Sequence, residues 1–210
     1  MGYTTEFAGQ FRLDRKLDPK HETYLRAFNE TRHMRLNVKR VAVVTDPART
    51  AAGLPIGPEG AYCAFIRDGI GLARGLVVED VSPLGPNCSR WCGWIPTDDG
   101  FGVTWDGGEK FSGYAAWLAF IVEHFLDRWG YAVRGSVAWQ GETEGDEGEL
   151  FVRNNKIVVG GGHAHCAAGD VPEHMHFRGR FGVAVDAAAR VGGYAAVSAL
   201  LRSGRWPLRY

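Results

Sequence analysis

The stretch WCGWIPTDDGFGVTWDGGEKFSGYAAWLAFIVEHFLDRWGYAVRGSVAWQ, residues 91–140, holds six of the seven tryptophans of the chain and switches its apolar period twice. Two short runs, Trp91 to Thr97 and Phe101 to Trp105, flank Asp98-Asp99-Gly100, whose residue types suit the connection of a β-hairpin. Asp106-Gly-Gly-Glu109 then reads as a capping box opening a helix. Tyr114, Trp117, Leu118, Ile121, Phe125, Leu126 and Trp129 form its buried face, and Gly130 stops it. From Tyr131 the period returns to two, with Tyr131, Val133, Gly135, Val137 and Trp139 on one side of a strand. A tryptophan buries about 150–250 Å², so this block predicts the centre of the core.

Working outward, Tyr3 to Leu13 alternates as a half-buried strand. Asp18-Pro19 then supplies an N-cap and a first helical position for a short helix carrying Tyr24, Leu25 and Phe28, which runs out near Arg32. After residue 140, a hairpin from Leu150 to Val159 is expected around Asn154-Asn155. The order strand, helix, strand, strand, helix, strand predicts an α+β fold, ferredoxin-like or a related antiparallel sheet with two main helices on one face. It is interrupted by a Gly- and Pro-rich insertion at about 37–90, a length typical of segments that are functional or disordered. Within it, VKRVAVV and GLVVEDV read as short strands. Residues 1–160 form the α+β domain, and 161–210 a C-terminal extension with a short Ala-rich helix from about Asp186 to Arg202, anchored by Val191, Tyr194, Val197, Leu200 and Leu201.

At 210 residues and 45% hydrophobic content the chain can bury one sizeable core. Its formal net charge of zero, with no run of like charge, leaves nucleic-acid binding unsupported. No segment has the apolar length of a membrane span, and the N-terminus lacks the pattern of a signal peptide, so a cytoplasmic location is expected. The four cysteines, Cys63, Cys88, Cys92 and Cys166, are then expected to be reduced.

Several clusters bear on chemistry. His163, His165, Cys166, His174 and His176 have ligand chemistry but no standard zinc spacing, and read as a solvated loop; no metal or cofactor is assigned. Asp106, Glu109 and Lys110 beside Gly107-Gly108 sit where backbone amides at a helix start could meet an anion, although two carboxylates there favour helix capping instead. Asp98 and Asp99 suit a turn. Gln140, Glu142 and Glu144 have the Gln-x-Glu and Glu-x-Glu spacing of the catalytic loop of ADP-ribosyltransferases. The Ser-Thr-Ser strand of those enzymes is absent, so the acidic stretch to Glu149 reads as a solvated loop or a weak cation site. Cys92, between Trp91 and Trp94, could pair with His124 or His163, or serve as a buried structural thiol. Nucleophile elbows, Walker loops, GxGxxG after a strand and HExxH are absent.

The set GYTTEF (2–7), GLPIGPEGAY (53–62), WCGWIPT (91–97), WDGGEKF (105–111) and WGYAVRGSVAWQGE (129–142) resembles a family of uncharacterised proteins associated with bacteriophages and their bacterial hosts. The resemblance covers about residues 2–160 and implies no activity, ligand or catalytic residue. The expected function is a protein-binding or accessory role, with Trp91, Trp94, Asp98, Trp105, Asp106, Glu109 and Lys110 as the binding set and a host or viral protein as the partner. The alternative is a small enzyme acting on a nucleotide-like or other small substrate through Asp106, Glu109 or Glu142, with or without a divalent cation.

Overall fold

The computed structural model describes residues 3–66 and 75–161. β1 (Thr5–Leu13) leads through the Asp18 cap to α1 (Pro19–Asn29); the Asp18 carboxylate accepts from the Lys20 amide at 3.0 Å, and Pro19 opens the first turn. The insertion carries β2 (Arg35–Leu36), α2 (Val38–Val41), α3 (Pro47–Ala51) and β3 (Val77–Glu79). Then follow β4 (Trp94–Pro96), β5 (Gly102–Trp105), α4 (Tyr114–Ile121), which continues as a π-turn over Val122–Leu126, and β6 (Val133–Gly141), β7 (Glu147–Arg153) and β8 (Lys156–Gly161).

The main sheet is ordered β4-β5-β1-β6-β7-β8, with every adjacent pair antiparallel. Its first four positions are the split βαβ arrangement of a ferredoxin-like fold, in which β1 lies between the two later strands β5 and β6. The β7–β8 hairpin extends it at the β6 side. Asn154 and Asn155 turn that hairpin with φ of 49° and 60°, as a two-residue turn between right-twisted strands requires.

Period two decides which face is buried. Phe11 and Leu13 of β1, Val133, Val137 and Trp139 of β6, and Leu150 and Val152 of β7 enter one core with Tyr24, Leu25 and Phe28 of α1 and Trp117, Leu118 and Ile121 of α4. The intervening Glu6, Ala8, Arg12, Arg134, Ala138 and Gln140 are exposed on the outer face. Gly148 lets Trp139 lie across β7: a Cβ there would fall 2.6 Å from the indole ring. Phe28 and Phe125 join the helices edge to face at 5.0 Å.

The insertion is structured over its described residues. Met34, Leu36, Val41, Cys63 and Ile66 form a second small core, and hydrogen bonds pin the segment to the helices. Trp117 Nε1 donates to the Ser89 carbonyl (2.9 Å), Trp129 Nε1 to that of Ala52 (3.1 Å), and the Tyr24 hydroxyl to that of Tyr62 (2.7 Å). VKRVAVV contains α2 rather than a strand, because the Asn37 side chain caps the Arg40 amide and nucleates a turn; GLVVEDV does hold β3. The second main helix begins at Tyr114, not beside Asp106. The C-terminal extension, including the expected Ala-rich helix, lies outside the described residues.

His33 sits wholly inside this packing, with Nε2 2.8 Å from the Phe28 carbonyl and its ring 5.0 Å from that of Trp117. Burial lowers its pKa to about 4, opposed by the contact with the Phe28 carbonyl. The unfolded chain therefore takes up the proton first, near pH 6.5, so the contribution of His33 is present above that pH and lost as pH falls toward 4. Urea unfolding should show about 2 kcal/mol less stability at pH 5 than at pH 7 from this group, and His33→Asn should remove that difference.

Candidate functional site

Trp91 is the one tryptophan of the described chain that faces water to a large extent, at 44% exposure. It sits where the insertion rejoins the sandwich, immediately before β4, and its setting is firmly built. Its amide donates to the Ser89 hydroxyl at 3.1 Å, and the Arg32 guanidinium lies 5.7 Å from its ring centroid. Arg32 is in turn held by Asp80 at 2.9 Å, and Arg90 grips the same carboxylate at 3.0 Å. The Arg90 carbonyl accepts from the His33 amide at 2.7 Å. An exposed indole thus lies under one guanidinium, which shares the Asp80 carboxylate with a second, that of Arg90.

The WDGGEKF loop runs beside this residue. The Asp106 amide donates to the Gly93 carbonyl (3.0 Å), and the Ser89 amide to that of Ser112 (3.0 Å), tying segments 89–93 and 106–112 together. Asn29, at the end of α1, donates to the Cys92 carbonyl (2.6 Å) and to Asp106 Oδ2 (2.7 Å). Asp106 Oδ1 accepts from the Gly108 amide at 2.8 Å, so this side chain closes a local turn rather than capping a helix. Gly107 and Lys110 take positive φ (82° and 58°), which breaks the helical path that the capping-box reading required. The helix starts instead behind Gly113, at φ 70°. Glu109 and Lys110 are exposed on the loop.

The other expected site residues separate from this surface. Trp94 is buried, with Nε1 donating to the Tyr114 carbonyl at 2.8 Å. Trp105 is half-buried, its ring 5.4 Å from that of Phe7. Asp98 lies at the hairpin turn, the opposite end of β4 and β5 from Trp91, and is fully exposed 3.8 Å from Arg26. Its neighbour Asp99 carries the turn: bonds from the Thr97 hydroxyl, the Phe101 amide and Arg12 hold its carboxyl down to about 2.

Carboxylates do not converge here. Asp106 is occupied by Asn29 and Gly108, Glu109 faces solvent, and Glu142 accepts from the Thr4 amide at 2.8 Å. Burial pushes the Cys92 thiol far up, so it stays protonated; His124 pairs through Nδ1 with the Tyr62 hydroxyl at 2.8 Å. Cys63, Cys88 and Cys92 are buried thiols. Among the described residues no group of three or more His, Cys, Asp or Glu side chains could hold a metal; the His163/His165/His174/His176 cluster lies outside them. Nor does any helix among them have the length and apolarity to cross a membrane.

Asn29, Arg32 and Asp80 complete the surface and escape sequence reasoning. Arg32 and Asp80 stand 48 positions apart, and nothing local in the chain marks them as partners. No family model, curated protein or solved structure matches this chain.

Proposed function

We propose that the protein is a binding module that recognises a protein partner, of host or viral origin, through Trp91 and the adjoining 106–110 loop. The observation that carries this reading is the water-facing indole of Trp91, with the Arg32 guanidinium, itself held by Asp80, over its ring. Tryptophan and arginine are enriched among residues that dominate interface energetics, and a side chain held in place before binding loses little entropy when it binds. Arg32, Arg90, Asp80, Glu109 and Lys110 supply the polar surroundings of such an anchor, with charges of both signs. Trp94 and Trp105 support the surface from inside.

The test compares capture from bacterial and phage-infected lysates by immobilised wild-type protein and by Trp91→Ala. A partner bound through this surface is retained by the wild type and lost by the variant, while the melting temperature stays the same. Identical capture profiles would remove Trp91 from the binding surface.

A further inference from the structure

Four cations line up across the outer face of the main sheet. Arg12 stands opposite Arg134 in the β1–β6 ladder, and Arg153 opposite Lys156 in the β7–β8 hairpin. Gly135 pairs with Val152, which brings Arg134 level with Arg153, so the row is continuous over β1, β6, β7 and β8. All four residues are exposed, while Leu13, Val133, Val152 and Ile157 beside them turn inward to the core. At about 4.8 Å between strands, the row is roughly 14 Å long. No carboxylate interrupts it, and the next outward row is Gln10, Ser136, Phe151 and Val158. Asp99 orients Arg12 from the β4–β5 turn, at 2.9 Å. The zero net charge of the chain thus conceals a segregated face, on which Glu6, Glu147 and Glu149 lie farther along the strands.

Like charges directly opposite one another destabilise a sheet. Three such pairs stand side by side here, and we propose that they form a binding site for the phosphodiester backbone of a nucleic-acid duplex, held without regard to base sequence. The guanidinium fork fits phosphate oxygens two at a time, and Gln10 and Ser136 add side chains of the kind that contact phosphates. Single strands are held by stacking their bases on aromatic rings, and no aromatic side chain lies outward on β1 or β6. An extended acidic peptide presents a carboxylate to one side only every 6.6 Å or about that, out of step with the row. A duplex carries one charge per about 1.7 Å of its axis, so cations in line release condensed counterions wherever they settle on it. The row lies at the Asp98-Asp99 end of the sheet, away from Trp91, and is independent of the surface around that residue.

Fluorescence anisotropy of the full chain with two labelled DNA duplexes of unrelated sequence tests this. Both should bind equally, with affinity falling roughly hundredfold between about 50 and 200 mM salt, as four phosphate contacts require. Arg134→Gln and Lys156→Gln should each weaken both duplexes alike and make the slope of log K against log salt shallower by about 1, with melting temperatures at or above that of the wild type. Lys39→Gln, which removes an exposed cation from α2, should leave binding unchanged. Absence of binding at low salt would overturn the site, as would a salt slope that both row variants keep, or an equal loss for Lys39→Gln. Displacement of the duplex by poly-glutamate at equal charge concentration would overturn it in favour of an acidic protein, and a base-dependent preference for a single strand would rule out the duplex backbone as ligand.

Discussion

Trp94→Ala is expected to destabilise the protein by about 3–5 kcal/mol, the range for deleting a large aromatic from a close-packed core. Trp94 is 1% exposed, and its ring meets those of Phe7, Phe11 and Phe111 at 5.5, 5.6 and 5.7 Å, all close to edge-to-face. These rings come from β1 and from the chain between β5 and α4, so the cavity opens where the hairpin meets the rest of the sheet. The substitution also strips the Tyr114 carbonyl of its indole donor at the first turn of α4. Trp94→Phe should recover most of the packing but not that bond, leaving a deficit of about 1 kcal/mol. Chemical denaturation of the three proteins at neutral pH measures both effects; a loss under about 1 kcal/mol for Trp94→Ala would mean that the hairpin is not integral to the core.

Asp46→Ala is expected to cost a similar about 3–5 kcal/mol, by a different route. The Asp46 side chain is almost wholly buried, accepts from the Arg49 amide (3.1 Å) and the Ala64 amide (2.9 Å), and faces the Arg49 guanidinium at 3.4 Å. Removing it takes the carboxylate from a mostly buried guanidinium, which keeps only the Leu54 carbonyl at 2.8 Å, and frees the buried Ala64 amide and the part-buried Arg49 amide, and leaving partners unpaired is costlier than the pair is stabilising. The damage should concentrate in the insertion, because this one carboxylate joins the start of α3 to the irregular segment at Ala64. Hydrogen exchange should accelerate over residues 46–66 more than in β1 and β6. Asp46→Asn keeps the shape and one acceptor, and should lose less. Uniform acceleration over the whole sheet would show that the insertion and sandwich unfold as one unit.

The parts of the fold that could be read in advance are those governed by local periodicity. The alternation of β1 and β6, the Asp18-Pro19 start of α1 and the Asn154-Asn155 turn each depend on residues within a few positions of one another, and the structure places them as expected. Their order alone limits the sheet to few topologies, which is why β4-β5-β1-β6 was within reach. The start of α4 was misread because Asp106-Gly-Gly-Glu109 satisfies the pattern of a capping box while Asn29, 77 positions away, draws the Asp106 carboxylate into another role. The insertion resisted reading for the same kind of reason. Its order comes from bonds to Trp117, Trp129 and Tyr24 and from its own small core, and β2 is held by pairing with β3, Arg35 opposite Glu79, rather than by its own propensity.

Of the expected binding set, the tryptophans divide by burial in a way spacing could not show. Trp91 and Trp94 sit three residues apart, yet Trp94 enters β4 facing the core while Trp91 precedes the strand and stays in water. The exposed site is correspondingly smaller than the sequence implied, and its supporting residues, Arg32 and Asp80, come from α1's exit and the insertion.

The direct measurement of the central claim is the affinity of the captured partner, by calorimetry, for wild-type protein, Trp91→Ala and Phe101→Ala. Phe101 is a matched control, 43% exposed but at the far end of the β4–β5 hairpin. If Trp91 is the anchor, its removal should weaken binding by about 2 kcal/mol or more, roughly thirtyfold, with Phe101→Ala indistinguishable from wild type. Equal affinities for all three proteins, or a larger loss at Phe101, would contradict the account.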